Sequence, residues 1–255
     1  KLDTTEAGKP KGKLPSQRIA APDDASEDAF ELLRASERPV IIVGHGARDR
    51  MEAVTQLAEQ LRSPIITTFK GKGLISDDHP LAGGVLDRDG TPVANWLMNN
   101  SDALLIFGAS FNKGTGISTQ HPTVQVDYDL TALARFHAID VPVWGEIGVT
   151  AQALSDDFLG DMWTQDQTAD IQSRKAIWRE ETDHYINDSH ADSINAALLF
   201  EVLSDVVDDD AIITVDTSNH ADTFACYFNC QEQSILMPGH SHSLGFAFPA
   251  AMGAW

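Results

Sequence analysis

Pro39-Val40-Ile41-Ile42-Val43, followed at once by Gly44-His45-Gly46-Ala47, is the stretch that decides the fold. Its first five residues carry no alternation of apolar and polar side chains, so the strand they form is buried on both faces. Such strands belong to parallel sheets covered by helices. The glycine pair stands where a doubly wound fold turns tightly out of its first strand into a helix. Outward from there, residues 47–61 carry a helical period and residues 64–68 a second β-rich run, which together make a β-α-β unit. Residues 24–36 read as an amphipathic helix with Ala29, Phe30, Leu32 and Leu33 on one side. A helix over 91–99 leads into apolar strands at 103–107, 124–126 and 141–144, each expected to be buried along its length.

The polar stretch 156–170 closes this unit. Helices are expected over 171–186 and 193–207, then a strand at 211–215, a helix at 221–228, a strand at 234–237 and a helix from about residue 244. The expected fold class is α/β: a doubly wound parallel sheet, Rossmann-like, followed by a second and incomplete α/β unit. The expected division is a linker over 1–24, a central domain over 25–160, a helical linker over 161–192 and the start of a further domain over 193–255. Lys1-Leu2-Asp3 opens without Met or a signal pattern, and the chain stops at Trp255 inside an apparent helix, so the sequence is expected to be a truncated piece of a longer protein.

The net charge of -20 comes from 27 Asp and 11 Glu against 8 Lys and 10 Arg. That balance argues against nucleic acid as a partner and points to a halophilic source, where salt screens the repulsion. Apolar runs such as 40–43 and 103–107 fall far short of the roughly 20 residues of a membrane helix. Cys226 and Cys230, four apart on one expected helix, are read as reduced and structural, in a cytoplasmic protein.

Four features fall at the carboxyl ends of expected strands and converge on one crevice: Gly44-His45-Gly46, Thr68 to Gly73, Gly108-Ala109-Ser110, and Asp127. Glycines and lysines there suit a nucleotide phosphate and an acid suits a ribose, while the other reading makes the glycines plain turns. In the second unit Asp216-Thr217-Ser218-Asn219-His220 precedes a helix. Its donors suit a diphosphate, or Ser218 or Asn219 caps that helix. His240 and His242 lack a third metal ligand nearby, and the chain has no Gly-x-Ser-x-Gly elbow for a hydrolase.

The segment from Val215 to Ala254, with Asp-Thr-Ser-Asn-His, Pro-Gly and then Ser-His-Ser-Leu-Gly-Phe-Ala-Phe-Pro-Ala-Ala-Met-Gly-Ala, resembles the start of the cofactor domain of thiamine-diphosphate enzymes. The acetolactate synthase, pyruvate oxidase and benzoylformate decarboxylase group carries Gly-Gly-Leu-Gly-Phe-Ala-Leu-Pro-Ala-Ala-Ile-Gly-Ala or close variants there. Leu-Leu-Ile-Phe-Gly-Ala-Ser-Phe-Asn is similar to the synthase Leu-Leu-Ala-Phe-Gly-Ala-Arg-Phe-Asp.

The resemblance implies a thiamine-diphosphate- and Mg²⁺-dependent enzyme acting on 2-oxo acids by carboligation or oxidative decarboxylation, assembled as a homodimer or homotetramer. It implies that Ser218, Asn219 and His220 touch the diphosphate. Ser243 joins them in the cofactor loop, the His242 carbonyl accepts from the pyrimidine, and Leu244 props the bent cofactor. It implies FAD contacts at Gly44, Gly46, Gly73, Gly108, Ser110 and Asp127 in flavin-containing members. Ser110 and Glu146 depart from the synthase arginine and aspartate. The activating glutamate and the Gly-Asp-Gly…Asn metal motif are implied to lie outside this sequence, so no catalytic or metal residue is expected within it and the piece alone is expected to be inactive. The alternatives are a nucleotide- or FAD-binding module, and a non-catalytic paralogue without thiamine chemistry.

Overall fold

The computed structural model describes residues 18–111, 115–160, 163–187, 194–238 and 244–255. Its centre is a six-stranded, all-parallel sheet: β1 (Pro39–Val43), β2 (Ile65–Thr68), β3 (Ala82–Leu86), β4 (Ala103–Phe107), β5 (Thr123–Asp127) and β6 (Val141–Trp144). The spatial order is β3-β2-β1-β4-β5-β6. That is the doubly wound order, and it reverses between β1 and β4, where Pro39 lies beside Ala103 and Val43 beside Phe107.

All of β1 is buried, with Ile41 and Val43 in one core and Val40 and Ile42 in the other. The first core is closed by α1 (Asp23–Arg34), α2 (Met51–Leu61) and α4 (Ile147–Asp157), the second by α3 (Pro92–Asn99). Thr91 starts α3 by accepting from the Ala94 amide. A 3₁₀ turn, His45–Arg50, precedes α2, so the helix begins four residues later than its sequence period implies.

Three differences from the sequence reading have physical causes. β3 carries Gly83-Gly84, which reads as a turn, yet it pairs with β2 through an irregular register and forms one edge of the sheet. At the other edge β6 is buried on alternate residues only: Val141 and Val143 face the core, while Pro142 and Trp144 are exposed. α4 occupies residues that show no strong period, because its start is set by Glu146, whose side chain accepts from the Val149 amide at 2.8 Å.

Beyond these lie α5 (Thr168–Asn187), α6 (Ala196–Val206), β7 (Ile212–Thr214), α7 (Asn219–Tyr227), β8 (Ser234–Leu236) and α8 (Ala247–Ala254). α5 belongs to both parts. Its Ile171 sits in the first core and Arg174 stacks 4.0 Å over Trp96, while its far half reaches Tyr227 through Trp178. β7 and β8 form a two-stranded parallel sheet around a small core of Val215, Ala221, Phe224, Phe228 and Ile235. Cys230 lies in that core past the end of α7, so the two cysteines do not share a helix as their spacing implies. Both are free thiols, and burial pushes each up to about 11. No helix among the described residues is long and apolar enough to cross a membrane.

The two parts are joined by a clasp. The Asp77 amide donates to the Cys230 carbonyl at 2.8 Å and the Cys230 amide returns to the Asp77 carboxylate at 2.7 Å. Lys72, nearly fully buried, pairs with the same carboxylate, and Asp78 accepts from Asn229 at 3.1 Å and from Gln231 at 2.6 Å.

Candidate functional site

The sheet's reversal point brings Gly44, Gly46 and Gly108 together. The Gly44 amide donates to the Phe107 carbonyl at 2.9 Å, Gly46 to the Gly108 carbonyl at 3.0 Å, Ala47 to Gly44 at 3.0 Å, and Gly108 to Val126 at 3.0 Å. A β-carbon on Gly46 would lie 2.9 Å from the Gly108 Cα, and one on Gly108 would lie 2.5 Å from the Ala47 nitrogen. The space that these glycines leave is therefore used by one loop approaching another. Their amides are already committed, so they give a phosphate no backbone cradle of the kind a dinucleotide fold uses.

What remains at the rim is a group of basic side chains, His45, Arg48 and Lys70, of which Arg48 already donates to the Ile235 carbonyl at 3.1 Å. Desolvation, then the charges of Arg48 and Lys70, pushes the His45 imidazole below its ordinary value, and desolvation does the same to the Lys70 amine. Three basic groups crowded at the ends of β1 and β2 are notable in a chain of net charge -20. They suit an anion held by side chains.

Of the other crevice residues, Ser110 is half-buried two positions past Gly108. Asp127 ends β5, where its carboxylate accepts from the Asp129 amide at 2.8 Å and burial pushes its pKa up. At Gly73 φ is +85°, and a β-carbon there would meet Ile235 at 2.8 Å, so its missing side chain makes room for the second part. Glu146 is a structural residue, taking the α4 amide and pairing with Arg50. The Gln125 side chain, which no sequence signal marked, is buried and ties the walls together. It donates to the Ala109 carbonyl at 2.8 Å and accepts from the Ala134 amide at 2.9 Å.

In the second part Ser218 holds the N-cap position of α7, but its side chain makes no cap hydrogen bond. Its backbone lies at φ 152°, ψ -178°, a region that favours glycine and is held only where the surroundings impose it. Ser218, Asn219 and His220 are all exposed. Asp216 organises their neighbourhood: its carboxylate accepts from the Thr217 amide at 2.8 Å, from Gly245 at 2.9 Å and from Ala247 at 3.3 Å. It thereby brings the start of α8, and Leu244 beside it, next to the 216–220 loop. The sequence placed Asp216 in the right segment without giving it this role. A carboxylate preceding the loop, paired with an uncapped helix start some thirty residues on, is the signal that would have found it. His242 and Ser243, and with them His240, lie outside the described residues. Among the described residues no group of three or more His, Cys, Asp or Glu could hold a metal ion.

Desolvation pushes the Asp216 carboxyl up, but its backbone amide donors outweigh this and hold it below the ordinary value. The group therefore adds stability above the unfolded-state pKa, about 3.9, and loses it as pH falls through the lower folded value. The expected result is that the Gly245 and Ala247 amide resonances titrate below pH 3.9, and that Asp216→Asn removes this titration. An unchanged titration in the variant would assign it to another group.

The profile of the thiamine pyrophosphate enzyme central domain matches residues 26–154, half of the chain. The sequence is also similar to the probable acetolactate synthase large subunit of Methanococcus aeolicus, 28% identical over 247 residues that take in 89% of this chain and 41% of that protein. It is 29% identical over 241 residues to the acetolactate synthase large subunit of Parasynechococcus marenigrum, covering 91% of this chain and 38% of that one. To the acetolactate synthase isozyme 2 large subunit of Escherichia coli it is 27% identical over 245 residues, covering 92% and 43%. The chain thus spans about two fifths of the length of these relatives, and the matched stretches run through both of its parts.

Proposed function

We propose, since this chain belongs to the thiamine pyrophosphate enzymes by its central domain, that the protein carrying it acts on 2-oxo acids with thiamine diphosphate and Mg²⁺, either joining them with loss of CO₂ or decarboxylating them oxidatively with an external electron acceptor. The observation that carries this reading is the Asp216 bridge, which sets the Ser218–His220 loop against the start of α8. The residues fit the group. The Ser218 hydroxyl is not used as a cap, and with Asn219 and His220 it stands exposed at the amino end of a nine-residue helix, where the dipole favours a diphosphate. Leu244, 81% exposed, offers an apolar prop beside them.

The cofactor, when bound, supplies the electron sink for cleaving the bond next to the 2-oxo group. The residues of this chain bind and orient it. Ser218, Asn219 and His220 would hold the diphosphate, Asp216 fixes the spacing of loop and helix, and Leu244 would shield one side of the cofactor from water. Mg²⁺ ligands are assigned to none of the described residues. The similarity to acetolactate synthases through the second part favours this reading over a bare nucleotide-binding module, whose likeness would stop with the first sheet.

The test is acetolactate formation from pyruvate by the complete protein. Turnover is expected only with thiamine diphosphate and Mg²⁺, and His220→Ala is expected to raise the cofactor requirement by about tenfold, the worth of one charge-assisted hydrogen bond. The 255-residue chain alone is expected to make none. A complete protein that binds the cofactor but leaves every 2-oxo acid unchanged would end the proposal.

FAD is the finer reading of the first crevice, with His45, Arg48 and Lys70 as the groups that would hold its phosphates. The expected outcome is flavin absorbance that survives gel filtration after FAD is added and is lost in the double variant Arg48→Ala/Lys70→Ala. A chain that stays colourless counts against it.

A further inference from the structure

The chain enters α7 through a tight passage. Val215 is buried in the second core, and its amide donates to the Leu236 carbonyl at 2.9 Å. Ala221 is buried in the same core, and its amide donates to the Ser218 carbonyl at 2.8 Å, which closes the first turn of the helix. Residues 216–218 therefore carry the backbone from strand pairing into helix with both ends pinned.

The strain of that turn falls on Ser218. Among the described residues the other non-glycine residues of positive φ are Arg62, Phe111 and Ala134, at 47°, 51° and 52°, near the ordinary left-handed value. Ser218 stands apart at φ 152° and ψ -178°, in a region that is essentially glycine's own. Such an outlier persists only where its surroundings over-determine it. The Ser218 hydroxyl does not do so as a cap. The Asp216 carboxylate stands in the right place: Oδ1 takes the Thr217 amide on one side, and Oδ2 takes the Gly245 and Ala247 amides at the start of α8 on the other. The direction in which the chain enters residue 218 is thereby fixed against a second helix.

We propose that Asp216 is a positioning residue for the cofactor loop: it imposes a glycine-type backbone on Ser218 in the free protein, so that the loop meets a diphosphate already in its binding form. The proposal rests on the thiamine reading of this loop and adds how the loop is prepared. The strain is borne before the cofactor arrives and does not subtract from its binding. Without Asp216 the loop relaxes, and a non-glycine residue at 218 has to be strained anew each time the cofactor binds.

Glycine and alanine at position 218 test this apart from any contact of the hydroxyl, since both lack it and only alanine is strained there. In the complete protein without cofactor, Ser218→Gly is expected to unfold at a higher urea concentration than Ser218→Ala. Adding Asp216→Ala to each is expected to shrink or reverse that difference. Titration calorimetry with thiamine diphosphate and Mg²⁺ is expected to show the opposite pattern. The two variants bind equally while Asp216 is present, and in the Asp216→Ala background the glycine variant binds about fivefold tighter or more, as release from one such strain implies. An Asp216 with a merely structural role would weaken both variants alike. Should Asp216→Ala fold poorly, Asp216→Asn, which keeps the shape without the charge, is expected to give both patterns at smaller size. Binding whose glycine-to-alanine ratio does not change with residue 216 would overturn this proposal alone. No binding of thiamine diphosphate by the unaltered protein would overturn the thiamine reading, and this proposal with it.

Discussion

Gly108→Ala is expected to destabilise the chain by about 2–5 kcal/mol, a large share of the stability of an ordinary domain. Two costs combine. Gly108 has φ +62°, a conformation that an L-residue adopts at about 1–2 kcal/mol. The added methyl would also lie 2.5 Å from the Ala47 nitrogen and 2.6 Å from the Gly46 carbonyl carbon. Those neighbours are backbone held by their own hydrogen bonds, so they cannot yield as a side chain would, and overpacking adds about 1–3 kcal/mol. Gly160→Ala is the control. Gly160 also has positive φ, +86°, but nothing lies within 4 Å of its β-carbon position, so only the conformational cost of about 1–2 kcal/mol is expected. Urea midpoints of the two variants separate close contact from backbone strain. Equal losses would show that Gly44, Gly46 and Gly108 do not pack as described.

Asp77→Ala is expected to cost about 3–5 kcal/mol, the usual penalty for removing one partner of a buried ion pair. Only 4% of the Lys72 side chain is exposed, so its ammonium would be left without its counter-charge. The Cys230 amide would lose its acceptor as well. Asp77→Asn is expected to destabilise too, since an amide keeps the shape and not the charge. Adding Lys72→Met to Asp77→Ala is expected to recover part of the loss, because it removes the stranded cation. A double variant no more stable than Asp77→Ala would place the cost in the Cys230 contact instead.

The sheet was legible where burial left a simple mark. β1 and β4 are apolar at every position, and both lie buried on two faces at the sheet's centre. β3 was not legible, because Gly83-Gly84 carries the composition of a turn. The space at Gly83 is claimed instead by Leu97 of α3, 2.8 Å from its β-carbon position. β6 misled in the opposite way: Pro142 and Trp144 are apolar in type, yet as part of an edge strand they face outward. Glycine spacing marked the point where two loops meet at the sheet's reversal. It could not say whether the room served a ligand or a neighbouring loop, since both require a missing side chain, and hydrogen-bond partners decide that only in three dimensions. Gly73 shows the same ambiguity, its empty space being filled by Ile235. In the second part the cofactor-like motif was readable, but Asp216 was not, because its partners Gly245 and Ala247 lie about thirty residues away.

The clasp between Asp77 and Cys230 joins positions 153 residues apart. Lengthening such a loop adds only about 0.6 kcal/mol per doubling, so the separation itself burdens the folded state little. It matters more for the order of events. Apart from β1 with β4, the pairings of the first sheet link consecutive strands and close early, whereas the seam can form only after both parts have taken shape. Its bonds are then the last to appear during folding and among the first to open during unfolding. Hydrogen exchange at the amides of 77 and 230 would accordingly run ahead of exchange in β1 and β4, and would report opening at the seam while the sheet remains intact.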